Sequence, residues 1–178
     1  MRPTTVLVEG ESDRVAVQTL ARREAYDLDA LGVNVVAMGG ATSVGNVVGR
    51  YGPAAEDHRL LGLCDAAEHA YVVRAVERAG AAVTWFVCEP DLEDELVRAL
   101  GTDAVLDVLD AQGELASFRL LQRQPAHRER PLEAQLHRFF AGRSGYKITY
   151  ARLLVDALPP GRAPAPLAAL LAEATRSS

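Results

Sequence analysis

The sequence predicts an α/β fold: a mainly parallel four-stranded sheet with helices on both faces, followed by a helical C-terminal extension. Three observations carry that expectation. The candidate strands are apolar throughout instead of alternating, as strands covered on both faces are. Amphipathic segments closed by glycine separate them, so strand and helix patterns take turns as in a doubly wound domain. After Thr102 the strand signal stops and only helical periodicity continues.

Each element has its own signal. Thr4-Thr5-Val6-Leu7-Val8 is a β-branched apolar run stopped by Glu9-Gly10, and Ser12 or Asp13 can cap a helix running towards Arg23. Val33 to Met38 reads as a second strand; Gly39-Gly40 ends it, and a helix or turn from Ser43 to Arg50 is broken by Gly52-Pro53. Leu60 to Cys64 forms a third strand ending at Asp65, and Val72, Val73, Val76 and Ala79 give the next helix its apolar stripe before Gly80. Ala82 to Cys88 is the fourth strand; Glu89-Pro90 stops it and feeds a helix around Asp91 to Leu100, closed by Gly101. Helical patterns then cover Ala104–Leu109, Glu114–Gln122, Leu132–Phe140 and Tyr146–Leu158. A stiff connector, Pro159-Pro160-Gly161 with Pro164-Ala165-Pro166, leads to a last helix from Leu167 to Ala174. The expected organisation is a core over residues 1–102 and an extension over 103–178 packed on it as one compact unit.

Composition narrows the class. A chain of 178 residues, 49% hydrophobic and 24% charged, fits one ordinary soluble domain. Its apolar stretches are too short to span a bilayer and no basic-then-apolar leader opens it, so a cytoplasmic protein without membrane contact is expected. Cys64 and Cys88 each end an apolar run, where reduced cysteine serves as a small hydrophobe. The net charge of −5 hides an asymmetry: residues 1–115 carry 9 basic and 20 acidic side chains, residues 116–178 carry 10 and 4. An acidic half that holds cations and a basic half that holds phosphates would suit an enzyme acting on a polyanion. A solvated, arginine-rich helical surface explains the same counts equally well.

Ligands of an open parallel sheet bind at the carboxyl ends of its strands, and three of the four predicted strands end in acids. Glu9, Asp65 and the group Glu89, Asp91 and Glu93 therefore converge, whereas acids that merely capped helices would share no corner. Oxygen ligands without a His or Cys partner suit a hard cation, Mg²⁺ or Mn²⁺. His58, His69, His127 and His137 show no spacing of a metal site or triad and are expected at or near the surface. Gly40-Ala41-Thr42-Ser43-Val44-Gly45 has phosphate-loop glycine spacing, but Asn46-Val47 stands where Lys and Ser/Thr are required, which excludes an ATP site.

These residues resemble a known family. Val6-Leu7-Val8-Glu9-Gly10-Glu11-Ser12-Asp13 closely resembles the first motif of TOPRIM domains, found in topoisomerases, primases, small nucleases and OLD-family (overcoming lysogenization defect) endonucleases. Gly39-Gly40, Gly62-Leu63-Cys64-Asp65 and Asp91-Leu92-Glu93 follow in the order of the OLD version, and Gly145-Tyr146-Lys147-Ile148-Thr149-Tyr150-Ala151 is similar to its late lysine motif. The resemblance covers residues 4–100 and extends more weakly through the lysine motif. It implies a Rossmann-like TOPRIM fold and divalent-metal-dependent, two-metal hydrolysis of DNA phosphodiesters by an endonuclease module. Glu9, Asp65, Asp91 and Glu93 would be metal ligands, Asp13 a supporting one, and Glu9 and Lys147 catalytic. Family members commonly place a second aspartate two residues after the first; here that position is Ala67, and Glu68 is expected to rotate away on the starting helix.

Lys147 has support of its own, being the only lysine beside 18 arginines. A compact ammonium stabilises a developing phosphoryl charge in a way a guanidinium does not replace. Arg119, Arg123, Arg128, Arg130, Arg138 and Arg143 would supply phosphate contacts, Arg138 and Arg143 foremost, or dock a partner. OLD proteins usually carry an ABC-type ATPase ahead of this domain and none is found in this chain, so a separate ATPase or a homodimer is an expected partner beside DNA. Other TOPRIM phosphotransfer chemistry, such as primase-like nucleotidyl transfer, and a catalytically weak binding or regulatory module are the alternatives.

Overall fold

The strands are β1 (Thr4–Val8), β2 (Val33–Ala37), β3 (Arg59–Asp65) and β4 (Thr84–Cys88), all parallel and in the order β2-β1-β3-β4. The structure, a computed structural model, describes residues 3–50, 58–143 and 145–176; the predicted break at Gly52-Pro53 lies outside them. The helices are α1 (Glu11–Arg23), α2 (Val44–Gly49), α3 (Ala66–Arg78), α4 (Leu92–Leu100), α5 (Thr102–Ala111), α6 (Leu115–Arg123), α7 (Leu132–Phe140), α8 (Tyr146–Ala157) and α9 (Ala165–Thr175). The predicted parallel α/β sheet is therefore observed, with its topological switch between β1 and β3.

Burial on both faces explains the continuous apolar runs. Val6, Val8, Leu61, Leu63 and Cys88 pack with α1 and the helices from α4 onward. Leu7, Leu60 and Cys64 point the other way, onto α2 and α3. Both cysteines are free and buried, and burial pushes the Cys64 thiol up to about 12. Among the described residues no helix is long and apolar enough to cross a membrane.

Some boundaries differ from the sequence pattern for local reasons. The N-cap of α1 is Gly10, earlier than capping by Ser12 or Asp13 would place it. β4 begins at Thr84 because Gly80 and Ala81 are used in closing α3, their amides donating to Glu77 and Val76 carbonyls. Gly101 both ends α4 and caps α5, so α5 starts at Thr102.

Three glycines are required by their surroundings. Gly39 and Gly40 have φ of 76° and 111°, and in that turn both amides donate to the Glu9 carbonyl, at 3.1 and 3.0 Å. Gly62, paired with Trp85 across β3 and β4, lies under the indole: a Cβ there would sit 2.2 Å from the Trp85 ring.

The helices after residue 102 share the core of the sheet, which runs from Val6 to Ala174. α8 packs along α1 and against α4 and α5, and α9 lies on β3, β4 and α1. Arginines tie down the carboxyl ends of both: Arg23 donates to the carbonyls of Val155 and, at 2.6 Å, Leu158; Arg59 donates to those of Glu173 and, at 3.2 Å, Ala174. A cation at a helix C-terminus meets unpaired carbonyls and the negative end of the dipole, so α8 has a fixed seat beside α1.

Candidate functional site

The backbone of each acid is fixed by the element that ends or starts there. Glu9 follows β1 with its carbonyl held by the Gly39-Gly40 turn. Asp65 is the last residue of β3 and the N-cap of α3, whose first amide, at Ala66, donates to the Pro90 carbonyl at 3.1 Å. That bond joins the β3–α3 corner to the loop that carries Asp91. Asp91 is the N-cap of α4: its Oδ1 accepts the Asp94 amide at 2.9 Å, and Glu93 lies in the first turn of the same helix, 9% exposed. Asp13 lies in the first turn of α1, and its Oδ2 accepts the Gly10 amide at 2.8 Å.

Their mutual influence shows how closely these acids gather. Burial raises the Asp65 carboxyl to about 7, aided by Asp13, Asp91, Glu9 and Glu93. Burial likewise raises Asp13 to about 6, against the Gly10 hydrogen bond and with help from Glu93 and Glu9. Glu9 is raised by burial, then by the charge of Glu68, with Lys147 opposing and Glu93 adding. Glu9, Asp13, Asp65, Asp91 and Glu93 thus occupy one electrostatic cluster at the switch point of the sheet. Lys147, in the first turn of α8, brings its Nζ to 3.0 Å from Glu93 Oε1. Burial pulls its pKa down, but the pairing with Glu93 and the charges of Asp91 and Asp13 outweigh that and the net movement is upward.

Three points differ from the sequence reading. Glu68 does not rotate away: on the first turn of α3 it is the strongest charge acting on Glu9. His137, expected to be uninvolved, places Nε2 2.9 Å from Asp91 Oδ2. With Asp94 these two offer three ligand atoms within 4.8 Å of one another. No local spacing connects His137 on α7 to Asp91 on α4; the contact follows from the packing of α7 on α4. Asp91, moreover, has each oxygen in a contact of its own, whereas Glu9 does not: Glu9 Oε2 is buried without any hydrogen-bond partner.

That last atom tests the fit of a cation. A buried carboxylate oxygen with no donor costs free energy, and a site made of oxygens whose like charges raise one another's pKa lowers it by binding a hard divalent ion. Glu9, Asp13 and Asp65 match that requirement, and Glu93 adds its charge to all three. Arg138 and Arg143 do not join the acid cluster. Arg143 donates to the Tyr146 hydroxyl, lies 5.2 Å over that ring and 3.6 Å from the Glu114 carboxylate. It nevertheless shares with Lys147 a cavity of about 390 Å³ whose other wall is Glu11 and Ser12 of α1. Arg138 lines a neighbouring cavity between α6 and α7.

Known proteins give a consistent picture. Residues 3–49 match the family model described as "Overcoming lysogenization defect protein-like, TOPRIM domain". Over nearly its whole length the chain has the fold of the C-terminal region of OLD proteins. Against that of Burkholderia pseudomallei the TM-score is 0.65, with 22% identity, covering 98% of this chain and 97% of the other. Against that of Xanthomonas campestris pv. campestris it is 0.62, again with 22% identity, covering 97% and 94%. Comparison with curated proteins finds no match. The resemblance first read at Glu9 to Asp13 is thereby borne out, as is the TOPRIM-type fold.

Proposed function

We propose that the chain is a divalent-metal-dependent endonuclease module that hydrolyses DNA phosphodiester bonds. The observation that carries this reading is the convergence of Glu9, Asp65 and Glu93, one buried Glu9 oxygen unpartnered, with Lys147 Nζ 3.0 Å from Glu93. Mg²⁺ or Mn²⁺ held by Glu9, Asp65 and Glu93, with Asp13 supporting, would activate water and stabilise the leaving oxygen, as in two-metal phosphodiester hydrolysis.

The protein's own groups divide the remaining work. The Gly39-Gly40 turn fixes the Glu9 backbone by its carbonyl, so the residue is set in place before substrate arrives. Asp65, raised to about 7 by burial, would release its proton to solvent when a cation binds near neutral pH. Lys147 serves two ends: it steadies Glu93, and its ammonium faces the cavity through which a phosphate would arrive. Glu68 contributes negative charge beside Glu9 at the corner where Ala67 leaves no carboxylate, which supports the second cation in this reading. Asp91 acts chiefly by capping α4 and holding His137, so that Glu93 is presented to the site. DNA is the partner in this reading; a separate ABC-type ATPase and a second copy of the chain belong to it as well.

The test is nicking of supercoiled DNA by the purified chain in Mg²⁺ or Mn²⁺. Cleavage that disappears with EDTA and with Glu9→Gln is expected. Cleavage by Glu9→Gln at the wild-type rate would overturn the site assignment.

A further inference from the structure

Beside the acidic site lies a second concavity that the hydrolytic chemistry does not use. It measures about 300 Å³ and lies between α6 and α7, with Leu120, Gln124, His127, Arg138, Gly142 and Arg143 among its walls. Gly142 and Arg143 also line the cavity that holds Lys147, so the two concavities meet at those residues. Lys147 lies on one side of that border, paired with Glu93, and Arg138 on the other.

The lining has two characters. Leu120 is 63% exposed, although a leucine gains nothing from water, and it stands beside Leu121 and the Phe139 edge. His127 Nδ1 is buried without a hydrogen-bond partner. Facing these are two guanidiniums, Arg138 exposed and Arg143 held in place by Tyr146 and Glu114. At Gly142, where the two cavities meet, a Cβ would crowd the Phe139 and Arg138 carbonyls at 3.2 and 3.3 Å and touch Arg138 Nη1 at 3.5 Å. An apolar wall and adjacent cations are the surfaces that one unpaired nucleotide presents in reverse: a π-face and a phosphate.

We propose that this concavity is a subsite for one unpaired nucleotide of a DNA strand that continues past Arg143 and Lys147 into the acidic site. The assignment rests on the nuclease reading for what happens at the acids, and adds to it a substrate class: DNA with a single-stranded segment next to the cleaved bond. The basic extension supplies the complementary charge, 10 cationic against 4 anionic side chains over residues 116–178. A fully paired duplex cannot offer a base to a recess of this size without first flipping it out.

The experiment measures binding apart from cleavage. Fluorescein-labelled 12-nucleotide single strands and blunt duplexes of equal length are titrated in EDTA against wild type, Arg138→Glu, Leu120→Asp and Glu9→Gln. Positions 138 and 120 are exposed, and thermal melting confirms that both variants fold. The single strand should bind more tightly than the duplex. Arg138→Glu should weaken strand binding at least 5-fold and reduce the slope of log affinity against log salt by about 0.7, one phosphate contact. Leu120→Asp should weaken it with the base contact, about 5-fold or more. Strand affinity within 2-fold of wild type in both variants overturns the subsite, as does tighter binding of the duplex. In Mg²⁺, Arg138→Glu should lose kcat/KM through KM, whereas Glu9→Gln should bind the strand and not cut it. Strand binding that needs Arg138 in a protein that never cuts would sustain the subsite and sink the nuclease reading. Glu9-dependent cutting indifferent to Arg138 and Leu120 would do the reverse.

Discussion

Raising the pH from 5 to 7.5 without metal should destabilise this protein, the opposite of what paired surface carboxylates produce. Asp65 and Asp13 are held at about 7 and about 6 in the folded chain, chiefly by burial, against an ordinary aspartate value of 3.8. A carboxyl whose folded pKa is raised binds its proton more tightly when folded. Stability is therefore greatest while both groups are protonated, falls as pH climbs from the unfolded value to the folded one, and is level above that. At about 1.4 kcal/mol per pKa unit the raw loss over this window, from pH 5 to each folded value, would be about 3 kcal/mol for Asp65 and about 1 for Asp13. Both groups are partly solvent-accessible and Asp13 raises Asp65, so screening and coupling leave about 2 kcal/mol between them. For a chain of this length that is a fall of roughly 6 °C in melting temperature. Thermal unfolding in EDTA across this range measures it, and 10 mM Mg²⁺ at pH 7.5 should restore most of the loss by binding only the folded site. Asp65→Asn should flatten the profile. A metal-free melting temperature that is constant or rises from pH 5 to 7.5 would refute the electrostatic account of the cluster.

Three further outcomes follow from single contacts. Gly62→Ala drives a Cβ into Trp85 and should cost about 1–3 kcal/mol in urea unfolding, with Trp85→Leu in the same chain recovering most of it. Lys147→Met removes the cation beside Glu93; the metal-free protein should lose about 1 kcal/mol, Mn²⁺ should bind no more weakly than before, and DNA cleavage should fall at least 100-fold, whereas weakened Mn²⁺ binding would count against the roles given to this pair. Asp91→Ala should cost about 1 kcal/mol as a lost N-cap and speed amide exchange at Asp94, while Asp91→Asn, which can still cap, should cost less.

Much of the fold was legible because burial on both faces of the sheet leaves a plain mark, runs such as Val6-Leu7-Val8 and Leu60-Leu61, and because Gly80 and Gly101 close helices where positive φ is needed. The convergence of acids was legible for a topological reason: parallel strands deliver their carboxyl ends to one edge. What could not be read was side-chain aim and long-range packing. Whether Glu68 turns towards Glu9 depends on the phase of α3, which Asp65 sets by acting as its N-cap. His137 reaches Asp91 only because α7 packs on α4, a contact spanning 46 residues that no periodicity encodes. The start of α1 was misplaced because Asp13, a residue type suited to N-caps, instead binds the Gly10 amide from inside the helix.

The claim on which the account turns is that the clustered acids are a divalent-cation site. Titration of Mn²⁺ into the metal-free protein by calorimetry at pH 6.5, in two buffers of different ionisation enthalpy, tests it most directly. Saturable binding with net proton release, lost in Glu9→Gln and with less proton release in Asp65→Asn, is the predicted result. Binding that is absent at millimolar Mn²⁺, or that Glu9→Gln leaves unchanged, would contradict it.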